Sequence, residues 1–71
     1  MRSRVKVVLA ERRRKAFEVA SALGVARDTV YLWCTDKGIG GLRLRDAERL
    51  ARELGCRVSD LYEEGPTDGD L

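Results

Sequence analysis

Residues 17–33 read FEVASALGVARDTVYLW, and they are the most informative segment of the chain. Its first half carries four apolar residues at helical spacing, which are Phe17, Val19, Ala20 and Leu23. Gly24 then supplies the left-handed residue with which many helices end. In the second half, Val30 and Trp33 begin a new apolar stripe, so a second helix is predicted over residues 27–35. Two short helices joined by a tight, glycine-containing turn are expected to cross at a steep angle.

The segment before this pair predicts another helix. Val5, Val8 and Leu9 lie at helical spacing and favour a helix over residues 3–14, with Ser3 as the candidate N-cap. A strand through Val5 and Val7 is the competing interpretation, and it is weakened by the helix-favouring run that follows. The other predicted elements are a loop over residues 37–41, a helix over 44–54 that ends at Gly55, a short helix over 60–64 capped by Ser59, and a flexible acidic tail over 65–71.

Length and composition limit the class of protein. Seventy-one residues make one domain, which is expected to occupy residues 1–64, and 44% apolar residues suffice for one small core. No run approaches the roughly 18 apolar residues of a membrane span, and no apolar signal-peptide region follows the N-terminus. We therefore expect a cytoplasmic protein that does not enter membranes. Residues 1–15 carry a net charge of +6 and residues 58–71 a net charge of −5, so the first segment suits a polyanion.

The sequence predicts no metal ion, cofactor or small-molecule effector. There is no histidine, and Cys34 and Cys56 do not form a C-x-x-C pair, so a four-ligand zinc site is not expected. Both thiols are interpreted as small apolar groups of the core, with no disulfide between them. The glycines of residues 38–41 lack the Gly-Lys-Ser/Thr ending of a phosphate loop, which argues against a nucleotide site. An enzyme is not expected either, because no Ser, Cys or Lys has a visible base partner.

The run EVASALGVARDTVYLW over residues 18–33 resembles the Cro/repressor-type (XRE-like) helix-turn-helix family. The likeness continues through Leu44-x-x-Ala-x-x-Leu-Ala-x-x-Leu-Gly-Cys56 and Val58-Ser-Asp-Leu61, so it covers residues 4–64. It implies an all-α, five-helix lambda-repressor-like bundle in which helices two and three form the helix-turn-helix. In that arrangement the N-terminal end of helix three enters the major groove of double-stranded DNA.

The resemblance also implies which residues meet the DNA. Four residues of helix three would face the bases: Arg27, Asp28, Tyr31 and Leu32. Four others would contact phosphates: Lys15, Thr29, Lys37 and Arg43. Arg27 suits a guanine edge, Asp28 suits cytosine N4 or a role in capping helix three or orienting Arg27, and Leu32 suits a thymine methyl group. The backbone amides near Ala16 would also point at a phosphate.

Several positions depart from the family pattern. Arg14 occupies the place of a usual core leucine, and Phe17 is expected to fill that space while the Arg14 head stays in water. Ala16 replaces the usual glutamine that contacts phosphate. The usual capping positions of helices two, three and four are occupied by Lys15, Ala26 and Arg43.

Two functions follow from these features. The first is a sequence-specific, double-stranded DNA-binding transcriptional regulator, expected to be a repressor and a homodimer. The second is a protein-interaction module that keeps the fold, binds RNA polymerase, a toxin or another regulator, and has weak or no DNA binding. It is suggested by Asp28 on the DNA-facing helix, by the missing phosphate ligands and by the acidic C-terminal segment. Arg27 and Asp28 would then be an ordinary solvated helix start, and residues 12–15 an ordinary solvated helix end.

Overall fold

The computed structural model describes residues 1–64, which fold as five α-helices closed by a short strand pair. In chain order the elements are β1 (Arg2–Ser3), α1 (Val5–Glu11), α2 (Ala16–Leu23), α3 (Arg27–Trp33), α4 (Asp36–Ile39), α5 (Leu44–Leu54), a 3-10 helix (Val58–Leu61) and β2 (Tyr62–Glu63). This confirms the predicted all-α class and its five-helix organisation. None of the helices in this part of the chain is long and apolar enough to cross a membrane. The predicted tail over residues 65–71 lies outside the described residues.

The pair α2 and α3 forms as predicted, except that α3 ends at Trp33 rather than at residue 35. Gly24 takes the left-handed conformation between the two helices, with φ of 70°. The amide of Val25 donates to the carbonyl of Ala20 at 3.0 Å, which satisfies one of the carbonyl groups left free at the end of α2. Gly55 repeats this arrangement after α5, with φ of 69°. Both glycines therefore end helices, and the first one sets the turn between the pair.

The core is built from one face of every helix. Its fully buried side chains come from α1, α2, α3, α5 and the 3-10 helix, and they are Val5, Val19, Val30, Leu50 and Leu61. Trp33 is only 6% exposed and belongs to this core, as the sequence predicts. Leu44, which the sequence pattern would place on the same apolar stripe of α5, is 69% exposed and lies outside this core.

The N-terminal segment differs from the prediction. Helix α1 begins at Val5 and ends at Glu11, so it is shorter than the predicted 3–14. The competing strand through Val5 and Val7 is not formed, because both residues lie in α1. A different, unpredicted strand precedes the helix at Arg2–Ser3, where Ser3 faces Tyr62 and Arg2 faces Glu63 in an antiparallel pair. The N-cap of α1 is Arg4, so the prediction that Ser3 caps this helix was wrong. The Ser3 amide donates to Asp36 Oδ1 at 2.9 Å, and its hydroxyl donates to the Trp33 carbonyl. The chain start is therefore attached to the end of α3 and to α4.

Two predictions for the second half were wrong. The loop predicted over 37–41 is mostly helical, because Thr35 Oγ1 accepts from the Gly38 amide at 2.9 Å and caps α4. The helix predicted over 60–64 is instead the 3-10 helix followed by β2, and Ser59 lies inside that helix rather than at its cap. The cap contact comes from Asp60, which accepts from the Arg57 amide at 2.9 Å. This hydrogen bond lowers the pKa of the Asp60 carboxyl group.

Candidate nucleic-acid interface

Helix α3 presents one exposed face, and the four predicted base-reading residues all lie on it. Arg27 and Asp28 are exposed, and Tyr31 and Leu32 are 53% and 56% exposed. The reason is helical spacing, because residues 27, 28, 31 and 32 share one side of the helix while Val30 and Trp33 point into the core. We call these four residues the α3 face.

Charges on the α3 face are not engaged within the described part of the chain. No salt bridge within 4.0 Å there involves Arg27 or Asp28. Asp28 does not cap the helix, since the N-cap is Ala26 and no side chain accepts a hydrogen bond from that first turn. The two structural roles considered for Asp28, capping α3 and orienting Arg27, are therefore not seen.

The four predicted phosphate-contacting residues are distributed over several elements. Lys15 is the exposed N-cap of α2, and Thr29 lies half-buried in the first turn of α3. Lys37 is exposed on α4, which packs against α3, and Arg43 is the exposed N-cap of α5, which packs against α2. The Lys15 side chain has no acceptor atom and does not cap α2, but Glu18 Oε1 accepts from the Lys15 amide at 3.0 Å, which is one half of a capping box.

A groove of about 580 Å³ connects α1, the start of α2 and the second half of α3. Its lining combines two lysines, two aromatic rings and a less polar floor: Lys6, Lys15, Phe17, Tyr31, Leu9, Ala16, Cys34 and Thr35. We call it the lysine groove. It brings the predicted residues Lys15 and Tyr31 together, and it adds Lys6 and Phe17, which the sequence analysis did not assign to the site. Helical spacing could have indicated both residues, because each is one position away from the buried face of its helix and therefore points outward.

Phe17 does not fill the place of Arg14, and that expectation was wrong. The inward face of α2 consists of Ala16, Val19, Ala20 and Leu23, so Phe17 points outward and is 55% exposed. Arg14 is instead held by the end of α5. Its Nη2 lies 2.7 Å from Glu53 Oε2, and its Nη1 donates to the Glu53 carbonyl at 3.2 Å. A cation is favourable there because the last carbonyl groups of a helix carry partial negative charge.

The two thiols are half-buried rather than buried. Cys34 lines the lysine groove and Cys56 lines a second groove between α1 and the 3-10 helix. Burial raises the pKa of Cys34, with the nearby Lys6 charge acting in the opposite direction. Burial and then the Asp60 charge raise the pKa of Cys56. Within residues 1–64 no group of three or more His, Cys, Asp or Glu side chains is arranged to hold a metal ion.

Residues 4–64 match the family model described as the Cro/C1-type HTH DNA-binding domain. No curated protein sequence and no solved structure matches the chain. The matched family consists of DNA-binding domains and is not a family of enzymes. The family match covers nearly the whole described chain and includes the helix-turn-helix pair of α2 and α3, so this protein belongs to the Cro/C1-type helix-turn-helix DNA-binding family.

Proposed function

We propose that this protein is a sequence-specific transcriptional regulator that reads the major groove of double-stranded DNA with α3. The observation that carries the proposal is the exposed α3 face, with Arg27 in the first turn and no salt-bridge partner among residues 1–64. An unengaged guanidinium in the first turn of the second helix has the position from which such helices reach base edges.

Each residue of the α3 face has a chemical role in this proposal. Arg27 donates two hydrogen bonds to the O6 and N7 atoms of a guanine, and Asp28 accepts from the N4 amino group of a cytosine. Leu32 contacts a thymine methyl group, and the Tyr31 hydroxyl contacts a base edge or the adjoining phosphate. Lys15, Thr29, Lys37 and Arg43 hold phosphates and fix the position of the domain along the duplex.

We further propose a homodimer that acts as a repressor. A dimer with two-fold symmetry places its two α3 helices on half-sites about 34–36 Å apart, one turn of the duplex. Bound over a promoter, such a dimer blocks polymerase. Sedimentation of the protein with a selected duplex gives the number of chains bound, and transcription in vitro from a promoter that contains the site gives the direction of regulation.

The test of base reading is selection from a random duplex pool at about 50 mM salt, where electrostatic binding is strong. We expect one sequence to be enriched. Arg27→Ala should relax the preference at one base position, at a cost of about 1–3 kcal/mol in discrimination. Lys37→Ala should weaken binding to all sequences alike and serves as the control for lost charge. If no sequence is enriched, or if both variants bind like the parent, α3 is not the reading helix.

Exposed apolar side chains favour a second candidate function, that of a protein-interaction module. Phe17, Tyr31 and Leu32 are each more than half exposed, and such residues are common in protein–protein interfaces. In that case DNA binding would be weak, and binding to a purified protein partner would change little with salt. The salt dependence of binding therefore separates the two candidates.

A further inference from the structure

We propose that the lysine groove holds a phosphodiester of the same DNA duplex, with Lys6 of α1 and Lys15 of α2 as its cations and the Phe17 ring against the adjoining deoxyribose. This inference rests on the proposed function and deepens it, since it makes α1 part of the DNA interface. The phosphate is one that flanks the base pairs read by the α3 face.

The groove is continuous with the α3 face. Tyr31 belongs to both, because its exposed side chain forms one wall of the groove and also lies beside Leu32 on the outside of α3. A DNA strand that runs along α3 therefore reaches the groove without any rearrangement of the helices. Thr35 lines the same groove just beyond the end of α3.

The positive charge of α1 is divided between two sides of that helix. Arg4 and Arg12 line the groove that also contains Glu11, Asp60 and Glu63, so acidic groups surround them. Lys6 points the other way, into the lysine groove, whose lining contains no carboxylate. Among the α1 cations of these two grooves, Lys6 is therefore the one placed to attract an anion beside α3.

Lys6 and Lys15 have no ionic partner that would have to be displaced. Among residues 1–64 neither ammonium group takes part in a salt bridge within 4.0 Å. Glu18 is the nearby acid, and its Oε1 is engaged by the Lys15 amide. The amides of Ala16 and Phe17 find no acceptor in the described chain, so two further donors border the groove at the start of α2.

The aromatic and apolar residues of the groove favour a nucleotide backbone over a free inorganic anion as its ligand. Phe17 lies outside the core although it is a large apolar residue, and Lys15 Nζ lies 5.9 Å from the centre of its ring. A deoxyribose and its adjoining phosphate present an apolar surface next to a negative charge. A free inorganic anion would use the lysines and leave the ring in water.

The first test compares Lys6→Ala with Arg52→Ala. Both variants remove one positive charge, but Arg52 is exposed on α5 and lines none of the grooves described here. Binding of the selected duplex and of a scrambled duplex is measured between 50 and 200 mM salt. We expect Lys6→Ala to weaken both complexes several-fold and to lower the salt slope by about 0.9, the value for one phosphate contact. Arg52→Ala should leave the slope unchanged.

Neutral methylphosphonates, placed one at a time along the selected duplex, identify the phosphate. One substitution should weaken the parent more than it weakens Lys6→Ala, because the variant has already lost one of its contacts to that phosphate. If Lys6→Ala keeps the slope of Arg52→Ala while the parent still prefers its sequence, the groove does not hold a phosphate and base reading by α3 stands. If Arg27→Ala also fails to change base preference, the proposed function falls with it.

The two cysteines give a second, independent readout. Cys34 lies in the lysine groove and Cys56 in the groove on the other side of α1, so one reports on the site and the other is its internal control. Burial raises the pKa of both thiols, so alkylation is followed at about pH 8.5, near the ordinary thiol pKa. The selected duplex should slow alkylation of Cys34 at least several-fold and leave Cys56 unchanged. Equal rates with and without duplex at Cys34 would overturn the proposal.

Discussion

Gly38 shows how one small residue decides a local structure. A methyl group added at Gly38 would overlap the backbone carbonyl of Leu32 and would lie 2.7 Å from Thr35 Oγ1. The absence of a side chain at Gly38 therefore lets the backbone of α4 lie directly against the end of α3. The same Thr35 hydroxyl donates to the Leu32 carbonyl at 2.6 Å and accepts from the Gly38 amide. Gly38 has an ordinary helical conformation, so glycine is required here for the close approach of α4 to α3 and not for its backbone freedom.

Gly38→Ala is therefore expected to lower the free energy of unfolding by about 1–3 kcal/mol, the usual cost of overpacking against atoms that cannot move. Gly40→Ala is the matched control. Its new methyl group would lie 3.5 Å from the Lys37 carbonyl, which is ordinary contact, and it should be neutral or slightly stabilising. Urea denaturation of the two variants measures the difference. Equal stability of the two would mean that the α3–α4 approach relaxes at no cost.

Among the secondary-structure elements, the helices that the sequence predicts well are those whose apolar pattern and end residues lie within the helix itself. The stripes of α2, α3 and α5 and the terminal glycines Gly24 and Gly55 lie within each helix, so sequence patterns suffice. Helix α4 was missed because it has four residues, one of them glycine, and depends on the Thr35 cap and on packing against Leu32. The pair β1–β2 was missed because it joins residues about sixty positions apart.

The candidate site, too, could be predicted only where its residues belong to a single helix. Helical spacing was enough to place the four residues of the α3 face on one side of α3. The lysine groove was not predictable, because its shape depends on where α1 lies relative to α2 and α3. Phe17 was misplaced because it was given to the core stripe, whereas Ala16 occupies that stripe position in the structure.

Helix α3 begins without a side-chain cap, which predicts an easy gain in stability. Ala26 is its N-cap and has the extended backbone that a capping serine needs, with φ of −70° and ψ of 147°. Ala26→Ser should raise the free energy of unfolding by about 0.5–1 kcal/mol, because its hydroxyl accepts from an amide of the first turn. A thermal melt without DNA should show a rise of several degrees in Tm.

Ala22→Ser, at an exposed position inside α2, is the control for the alanine-to-serine change itself. There the serine has no free amide to serve, and the lower helix propensity should cost a few tenths of a kcal/mol. If Ala26→Ser lost as much stability as Ala22→Ser, the new hydroxyl would bring no gain, and water would already satisfy the amides in the first turn of α3.

At the scale of the whole molecule, the first residues hold together parts of the fold that are distant in sequence. Ser3 binds the Trp33 carbonyl and Asp36, and the Arg4 amide donates to the Leu61 carbonyl at 2.8 Å. The basic start of the chain is thereby paired with the acidic segment after residue 57, with Arg2 opposite Glu63. The uneven charge of the sequence is partly balanced at this edge, and Lys6 and Lys15 are left on the side of α3.

Removal of residues 1–3 should therefore loosen two distant elements together. We expect amide hydrogen exchange to accelerate in α4, where Ile39 donates to Thr35, and in the 3-10 helix, where Asp60 donates to Arg57. The centre of α5 should accelerate only as far as global stability falls, because α5 packs mainly against α2 and the 3-10 helix, whereas β1 packs against α4 and β2. Ser3→Ala, which removes the hydroxyl bond to Trp33 alone, should cost about 0.5–1.5 kcal/mol and affect α4 more than the 3-10 helix. Unchanged protection of Ile39 in the truncated chain would mean that Thr35 and Gly38 hold α4 in place without the chain start.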